Sequence, residues 1–489
     1  MKQLNFRCLI ICSLLQLLLF TNSVYSQSQN ALQKLEQAIK TVLNTRVCKE
    51  SEVAVLIQEL DTGRVLFQQN ADLPLQPASN LKLLTTIGAL ELLTPEYKFK
   101  TSIHYCGDFV NGVITGNLYL VGGGDPLLVK EELWKIADSI YALGVRRVTG
   151  NLVIDSAFFD DVGYPDDDWK RIEMPLWYNA PTGGAASNFN AITVFATPGK
   201  KQGDPIKITI DPPVSFFNIQ STAVTAAPRS RASLVLSVKE NQHSCDIITK
   251  GTLPAGMKTQ TYYRHLVSSD ELTGHTFRHF LNDKGIIIEG KVVKEAKPEK
   301  STRLHVHESR TLSELLILVN KFSNNFMTEQ ILKTIAAEIG KCPGTTQDGT
   351  RILKEFFDKE LHIDTRGMVL SDGSGLSRRN KVTARQFCEL LRYGINDSFF
   401  GPELLVNQPV AGVDGTLKRR LNDHSNKRLV RAKTGSINNV ICLTGLIDGR
   451  RGKGLVFSIL INKNRGRNGE SRQAQDRMLE AMLDYWASI

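Results

Sequence analysis

A helix with almost no polar face follows Pro77 in this sequence. Pro77 marks the start of the helix, and the residues that continue to Leu93 are mostly apolar. A helix on a protein surface needs one polar side, so a helix that is apolar all round must be covered by other elements. The sequence therefore predicts that the chain folds around this segment as a core helix.

Two long apolar runs near the C-terminus, Val440–Ile447 and Leu455–Ile461, bracket a polar loop over residues 448–452. Continuous apolar runs of this length on both sides of a turn are typical of buried strands. The segment Gln473–Trp486 then repeats apolar residues on one helical face. We expect a buried strand pair followed by a helix.

The rest of the chain divides into three patterns. Residues 53–68 predict a hairpin, because two β-rich runs flank an Asp-Thr-Gly turn. Residues 95 to about 300 contain short β-like runs around one amphipathic helix, Glu131–Leu143, which is typical of inserted small mixed domains. The clearest of these runs are 116–121, 151–155, 206–210 and 233–238. From residue 310 onward the pattern is helical, over Thr311–Asn320, Met327–Ile339 and Gln347–Leu361.

The first 26 residues predict an export signal. A positive start precedes an apolar stretch from Leu9 to Phe20, and Val24-Tyr25-Ser26 offers a small-x-small cleavage site. An uncleaved anchor is the alternative interpretation, although the stretch is short for a bilayer. We expect the mature protein in the periplasm or otherwise outside the cytoplasm. Exported proteins pair cysteines in some cases. Six cysteines remain after removal of the predicted signal, and they are scattered without a Cys-x-x-Cys motif. Of these, Cys388 and Cys442 are expected to be buried thiols.

The net charge of +10 favours an anionic partner, such as a cell wall or a membrane surface. Peripheral contact with one of these surfaces is therefore an expectation. The sequence contains no dense run of lysine and arginine and no nucleic-acid motif. Nucleic acid is accordingly not expected as a partner.

Ser79 and Lys82 lie three positions apart at the start of the apolar helix, which puts their side chains on one face. Acyl transfer needs a nucleophile with a base beside it. Lysine serves as that base only where burial or a neighbouring cation keeps it partly neutral, and an apolar helix offers such a place. The alternative is a capping serine followed by a surface lysine.

Two further motifs follow in order. Ser323-x-Asn325 lies in the helical region, where it would by itself be an ordinary loop sequence. Lys433-Thr434-Gly435-Ser436 stands directly before the apolar run that begins at Val440. A strand edge binds an extended peptide through backbone hydrogen bonds, a fixed cation receives a carboxylate, and glycine allows close backbone approach.

Together, these motifs resemble those of the penicillin-binding serine acyltransferases. More closely, the chain resembles the D-alanyl-D-alanine carboxypeptidase/endopeptidase group, the class C low-molecular-mass penicillin-binding proteins of peptidase family S13. The long insertion between the first two motifs also fits that group. So do four stretches, 77–86, 120–126, 372–378 and 472–477. The resemblance covers nearly the whole chain after the export signal.

The resemblance implies an α+β fold of the serine β-lactamase/D,D-peptidase-like class, in which helices flank an antiparallel sheet. A large mixed α/β insertion would separate the first and second catalytic motifs. Residues 27–94 and 302–489 would form the transpeptidase-like domain, residues 95–301 the inserted domain or domains, and residues 1–26 the signal peptide.

The resemblance also implies roles for the motif residues. Ser79 would be the acylated nucleophile and Lys82 its general base. Ser323 would relay a proton to the leaving amine with help from Lys433, and Asn325 would hold the substrate amide. The strand motif would bind the substrate, with Lys433 and Thr434 on its terminal carboxylate and Gly435 beside them. The backbone N–H groups of Ser79 and Ser436 would form the oxyanion hole.

Glu173 is a further site residue that the resemblance implies. With Asp166-Asp167-Asp168-Trp169 it resembles a stretch in which relatives place an acid that faces the amine of a diamino acid in the stem peptide. Relatives usually have Asp at the position of Glu173. A solvated acidic loop is the alternative.

The implied function is that of a serine D-Ala-D-Ala carboxypeptidase, extending to D,D-endopeptidase activity, on peptidoglycan stem peptides. It needs no metal or organic cofactor, and β-lactams would be covalent inhibitors. A β-lactamase on the same scaffold is one rival, but the chain lacks Glu-x-x-Leu-Asn after the second motif, and that motif begins with Ser rather than Tyr. A non-catalytic wall-binding module is the other, and the presence of every reactive side chain disfavours it.

Two other sequence patterns are similar to known ligand-binding motifs, but we do not interpret either as a ligand site. The run 122–126, Gly-Gly-Gly-Asp-Pro, lacks the Gly-Lys-Ser/Thr ending of a phosphate loop. We interpret Asp125 as a helix N-cap, followed by Pro126 in the first turn. His275 and His279 have the spacing of a metal pair, but no third ligand is visible in the sequence.

Overall fold

The computed structural model describes residues 29–165, 169, 177–241, 244–447 and 454–488. The predicted export signal and Glu173 therefore lie outside the described residues. The contacts divide the chain into two compact units. The first unit comprises Met1–Leu83, His362–Val369 and Asn380–Ile489, and the second comprises Leu84–Leu361 and Leu370–Arg379. Over the described ranges, no helix has the length and apolar character needed to cross a membrane.

The described residues contain runs of consecutive strands and runs of consecutive helices. The helices are α1 (29–43), α2 (Arg46–Lys49), α3 (Lys82–Leu93), α4 (Lys130–Ala142), α5 (Ser269–Asp283), α6 (Leu312–Phe322), α7 (Asn325–Ile335), α8 (Thr346–Lys359), α9 (Ala384–Asn396), α10 (Gly401–Asn407) and α11 (Asn468–Ser488). The strands are β1 (Glu52–Glu59), β2 (Val65–Gln69), β3 (Lys98–Tyr105), β4 (Phe109–Val110), β5 (Val113–Ile114), β6 (Leu118–Val121), β7 (Arg147–Val148), β8 (Leu152–Asp155), β9 (Ala191–Thr197), β10 (Lys207–Asp211), β11 (Phe217–Ser221), β12 (Val224–Ala226), β13 (Val235–Glu240), β14 (Cys245–Lys250), β15 (Thr252–Pro254), β16 (Gln260–His265), β17 (Ile287–Ile288), β18 (Val292–Lys294), β19 (Thr302–Thr311), β20 (Val430–Ile437), β21 (Val440–Ile447) and β22 (Leu455–Asn462).

The first unit is built on a five-stranded antiparallel sheet in the order β2-β1-β22-β21-β20. Every residue of β21 and β22 is buried, so the predicted buried strand pair is confirmed. Apolar side chains of α1 and α11, among them Ile39 and Met482, form a core with Val55 and Phe457 of the sheet. Helix α9 also contacts β1 and β22. The predicted arrangement of an antiparallel sheet with flanking helices is therefore present.

The second unit contains several smaller sheets. A mixed five-stranded sheet in the order β18-β8-β6-β3-β19 shares an apolar core with α4 and α5. The other sheets have the orders β17-β7-β5-β4, β10-β9-β16, β11-β14-β13 and β12-β15. The predicted short β-like runs correspond to β6, β8, β10 and β13, and the predicted amphipathic helix to α4. The prediction of mixed structure in this region is confirmed.

The predicted helical region contains α6, α7 and α8. A capping box between Thr311 and Glu314 starts α6. Helix α7 begins before the predicted Met327 and continues as a π-turn over Ala336–Gly340. The core helix is also present, because α3 is buried along most of its length. All six described cysteines are free thiols, and Cys388 and Cys442 are buried as predicted.

The N-cap interpretation of Asp125 is wrong. Helix α4 begins at Lys130, with Val129 at its N-cap position. Asp125 instead accepts a hydrogen bond from the backbone N–H of Leu127 at 2.8 Å, and its side chain is buried. Its carboxylate therefore closes a turn in the loop before the helix.

Candidate active site

Ser79 and Lys82 lie within hydrogen-bonding distance of each other in the first unit. Ser79 is part of a 3₁₀ turn over Ala78–Leu81, and Lys82 is the first residue of α3. Lys82 Nζ donates a hydrogen bond to Ser79 Oγ at 3.2 Å. Ser79 is partly exposed, whereas Lys82 is completely buried. A hydroxyl that is open to solvent beside a buried amine is the pairing that acyl transfer requires.

The backbone of this turn is unusual at Ala78, which has a φ of +45°. A residue with a Cβ rarely adopts this left-handed conformation unless the surrounding structure holds it there. Asn80 provides one such constraint, because its Nδ2 donates to Thr444 Oγ1 of β21 at 2.8 Å. Thr444 in turn shares a hydrogen bond of 2.8 Å with Ser458 of β22. The turn that carries Ser79 is thus fixed to the centre of the sheet.

Sequence reasoning missed Asn80 and its partners. A usable signal was present, because Thr444 and Ser458 are polar residues inside otherwise apolar buried strands. Buried polar side chains are almost always hydrogen-bonded. The positions of Thr444 and Ser458 therefore indicate that another polar side chain forms a hydrogen bond with them in the core.

The Lys433-Thr434-Gly435-Ser436 motif lies within β20, the edge strand of the sheet. It directly precedes β21, as the sequence predicted, although β20 itself was not predicted. Lys433 is completely buried, and its Nζ donates to the carbonyl oxygen of Thr434 at 2.9 Å. Ser436 is exposed, and its Oγ accepts a hydrogen bond from Arg472 at 3.2 Å. Thr434 Oγ1 donates to Thr416 Oγ1 at 2.8 Å.

Gly435 allows β20 to pass directly against the turn of Ser79. A Cβ at this position would lie 2.7 Å from the carbonyl oxygen of Pro77 and 3.1 Å from the Cβ of Ala78. Both distances are shorter than an ordinary van der Waals contact. The glycine is therefore required for the close approach of the first and third motifs.

Lys82 and Lys433 are both completely buried and lie close enough for their charges to interact. Burial lowers the pKa of Lys433 well below its ordinary value of 10.5, and the positive charge of Lys82 lowers it further. Two ammonium groups in one buried place are costly, because each must give up its hydration beside a like charge. The pair therefore favours a state in which one amine is neutral, which a lysine base needs.

The second motif lies in the second unit, between α6 and α7. Ser323 has a left-handed backbone with a φ of +56° at the end of α6. Asn324 caps α7, because its side chain accepts a hydrogen bond from the N–H of Met327 at 3.0 Å. Asn325 is buried and its Nδ2 donates to the carbonyl oxygen of Tyr178 at 2.8 Å. The two predicted site residues thus flank a sharp helix-to-helix turn.

A buried carboxylate on α7 was also missed. Glu329 stands one helical turn after Asn325 and is completely buried. Its carboxylate accepts hydrogen bonds from the backbone N–H groups of Gly373 at 3.0 Å and Ser374 at 2.7 Å. Thr85 Oγ1 of α3 donates to the carbonyl oxygen of Gly373 at 2.8 Å. The stretch 372–378, noted only for its resemblance, therefore connects α3 to α7.

The predicted acidic stretch can be described only at Trp169. Its indole Nε1 donates to Asp372 Oδ2 at 3.0 Å, and the side chain is buried. Glu173 and Asp166–Asp168 lie outside the described residues, so the role of Glu173 remains a prediction.

The described residues contain no group of three or more His, Cys, Asp or Glu side chains that could hold a metal ion. His275 and His279 each contact a carboxylate of α5, Glu271 at 3.3 Å and Asp283 at 3.4 Å. Each imidazole therefore faces a carboxylate of its own helix.

Comparison with known proteins gives consistent matches. The sequence matches the D-Ala-D-Ala carboxypeptidase 3 (S13) family over residues 35–483. It is 32% identical over 469 residues to a D-alanyl-D-alanine carboxypeptidase of Actinomadura sp. (strain R39), covering 93% of this chain and 85% of that protein.

The fold resembles penicillin binding protein 4 (dacB) of Haemophilus influenzae, with a TM-score of 0.79, 24% identity and coverage of 91% of this chain and 99% of the other. A structure of that protein complexed with a β-lactam has a TM-score of 0.74, 24% identity and the same coverage. The predicted fold class and the family resemblance are confirmed. By these matches, the chain belongs to the D-Ala-D-Ala carboxypeptidase 3 (S13) family.

Proposed function

We propose that this protein is a serine D-Ala-D-Ala carboxypeptidase that forms an acyl-enzyme on Ser79. The observation that carries the proposal is the 3.2 Å hydrogen bond between the buried Lys82 Nζ and Ser79 Oγ. Family membership supports the reaction class, and the edge strand that carries Lys433 supports the binding of an extended peptide.

In the proposed reaction, neutral Lys82 accepts the proton of Ser79 Oγ as the oxygen attacks the carbonyl carbon of the penultimate D-Ala. The C–N bond then breaks, and the leaving amine of the terminal D-Ala receives a proton through Ser323. Water hydrolyses the resulting ester and regenerates the Ser79 hydroxyl. The backbone N–H groups of Ser79 and Ser436 would stabilise the negative oxygen of each tetrahedral intermediate.

The proposed carboxylate site uses the low pKa of Lys433. A substrate carboxylate beside this amine would favour its protonated form, because an opposite charge offsets the cost of burial. Thr434 would donate a second hydrogen bond, and Gly435 would let the peptide approach the backbone. Binding of the terminal D-Ala would therefore be coupled to proton uptake.

The proposed substrate is the stem peptide of peptidoglycan, with Asn325 on its amide and Glu173 near its diamino acid. A cross-link that ends in the same D-Ala amide would be cut by the same steps, as endopeptidase activity. β-Lactams would acylate Ser79, consistent with the β-lactam complex of the Haemophilus influenzae relative. We further propose export, directed by residues 1–26.

Intact-protein mass spectrometry with penicillin tests the nucleophile. The expected result is a single adduct on the wild type and on Ser139→Ala, a partly exposed serine on α4, and no adduct on Ser79→Ala. An adduct that persists in Ser79→Ala would refute the mechanism.

The same samples should be assayed for release of D-Ala from a pentapeptide. Release by the wild type, with slow turnover of penicillin, is expected. Fast repeated penicillin hydrolysis without D-Ala release would instead indicate a β-lactamase. The absence of both reactions, and of an adduct on the wild type, would indicate a binding module.

A further inference from the structure

A cavity of about 530 Å³ lies in the second unit, and the described residues that line it do not include Ser79. Its lining includes Lys130, Phe189, Thr193, Tyr263 and Asn324. Its volume falls in the usual range for small-molecule sites, about 300–1,000 Å³. None of these residues belongs to the proposed acyl-transfer steps.

The floor of the cavity is one row of side chains across the sheet β10-β9-β16. Asp211 of β10 is paired with Thr193 of β9, and Thr193 is paired with Tyr263 of β16. Directly paired residues project from the same face of a sheet. Ile192 and Val194, the neighbours of Thr193, belong to the apolar core on the opposite face. The row therefore forms a polar and aromatic surface on the outer face of the sheet.

A left-handed turn forms one wall of the cavity. Asn188, Phe189 and Asn190 have φ values of +51°, +57° and +50°. Three consecutive residues with side chains in this conformation are costly, so other contacts must hold them. The Phe189 ring packs edge-on against Phe326 of α7 at 6.2 Å between centroids, and Asn188 Oδ1 accepts a hydrogen bond from the N–H of Lys130 at 2.8 Å. The wall is thus fixed before any ligand binds.

The polar groups of the cavity favour an uncharged ligand. Lys130 Nζ donates to Asp211 Oδ1 at 2.6 Å, so the two charges compensate each other. Thr193 and Tyr263 lie in the same row as Asp211, so they add a hydroxyl group and an aromatic ring beside this ion pair. A ligand with both an apolar face and hydroxyl groups would match this surface.

We propose that this cavity is a subsite for an N-acetylated sugar, the glycan end of a glycan-linked stem peptide. A sugar ring offers an apolar face to Tyr263 and Phe189 and hydroxyl groups to Asp211 and Thr193. The inference rests on the proposed function, since it adds a glycan requirement to a peptidase.

Asn324 places the subsite beside the second motif, within the second unit. Asn324 lines the cavity and stands between Ser323 and Asn325 in the second motif. If Asn325 binds the peptide part of the substrate, the glycan part would therefore extend towards the cavity. The subsite would raise affinity without taking part in bond breaking, so it should affect KM rather than kcat.

The test compares a free pentapeptide with the same pentapeptide linked to an N-acetylated disaccharide, using the full-length protein. Tyr263 is 50% exposed, so Tyr263→Ala is expected to fold. We expect it to raise KM for the disaccharide-linked substrate about tenfold, with kcat unchanged for both substrates and KM unchanged for the free peptide. Thr193→Val is a second, isosteric variant with the same expected direction. Tyr141→Ala, an exposed tyrosine on α4 outside the cavity, is the matched control and should change neither substrate.

A calorimetric titration with the free disaccharide separates this inference from the proposed function. Binding by the wild type that is lost in Tyr263→Ala would support the subsite even if no D-Ala were released from any peptide. Failure of the wild type to bind the disaccharide, or equal KM values for the two substrates, would overturn the subsite. In that case D-Ala release from the free peptide would leave the proposed peptidase activity intact.

Discussion

Replacing Gly435 by alanine should slow acylation while leaving the protein folded. The added Cβ would lie 2.7 Å from the carbonyl oxygen of Pro77, and ordinary contact begins at 3.4 Å, so β20 and the turn of Ser79 would have to separate by about 0.7 Å. Neither partner yields easily, because the close atoms belong to the Pro77 carbonyl, to Ala78 and to the side chain of Asn80, which is hydrogen-bonded to the sheet. A displacement of about 1 Å in an active site costs roughly 100-fold in rate. We therefore expect a decrease of about 10- to 100-fold in the rate constant of acylation.

Stopped-flow measurement with a fluorescent penicillin reports this step directly, and kcat/KM for D-Ala release gives an independent value. Gly469→Ala in the first turn of α11 is the matched control, because a Cβ there meets no atom within 4 Å. Its kinetics should equal those of the wild type. Acylation of Gly435→Ala at the wild-type rate would show that the close approach of strand and turn does not position the nucleophile, and the reasoning would fail.

Three further predictions concern stability, measured by urea unfolding. Burial lowers the pKa of Lys433 well below 10.5, so just below pH 10.5 the unfolded chain binds more protons than the folded protein. The free energy of unfolding should therefore rise with pH in that range. Lys433→Met should remove the rise. Burial raises the pKa of Asp125 from 3.8 to about 7, so the stabilisation from its protonated form should be lost as pH rises from about 4 to 7. Asp125→Asn should abolish that loss. If the free energy of unfolding of Asp125→Asn fell with pH as it does in the wild type, Asp125 would not be the group that titrates. Glu329→Gln keeps one acceptor oxygen for the N–H groups of Gly373 and Ser374, and should lower the free energy of unfolding by about 1.5–3 kcal/mol, with a larger loss in Glu329→Ala.

The elements that the sequence predicted correctly have strong local patterns. The apolar runs from Val440 and Leu455 became β21 and β22, and the amphipathic pattern from Glu131 became α4. The spacing of Ser79 and Lys82 also placed both side chains correctly on one side of a helix start. In these cases the residue pattern and the tertiary structure favour the same conformation.

The elements that were missed depend on distant contacts. Strand β20 has no apolar run, because Lys433 and Gly435 interrupt it, and it forms by pairing with β21. Glu329 has the pattern of an ordinary helical glutamate, yet its partners lie 44 and 45 residues further along the chain. The left-handed conformations of Ala78 and Phe189 oppose the local preference of these residues. Packing from other parts of the fold overrides that preference.

The pairing of β1 with β22 has a consequence for how the molecule is made. Glu52 stands opposite Asn462, so two adjacent strands of the first unit are separated by most of the sequence. Ribosomal synthesis delivers β1 long before β22, and loop closure over such a distance is slow. The edge of β1 that pairs with β22 therefore remains unpaired until β22 has been synthesised. A stop codon placed before Leu455 would leave β1 and β21 without the strand that joins them, and Thr444 without its partner Ser458 beneath the turn of Ser79.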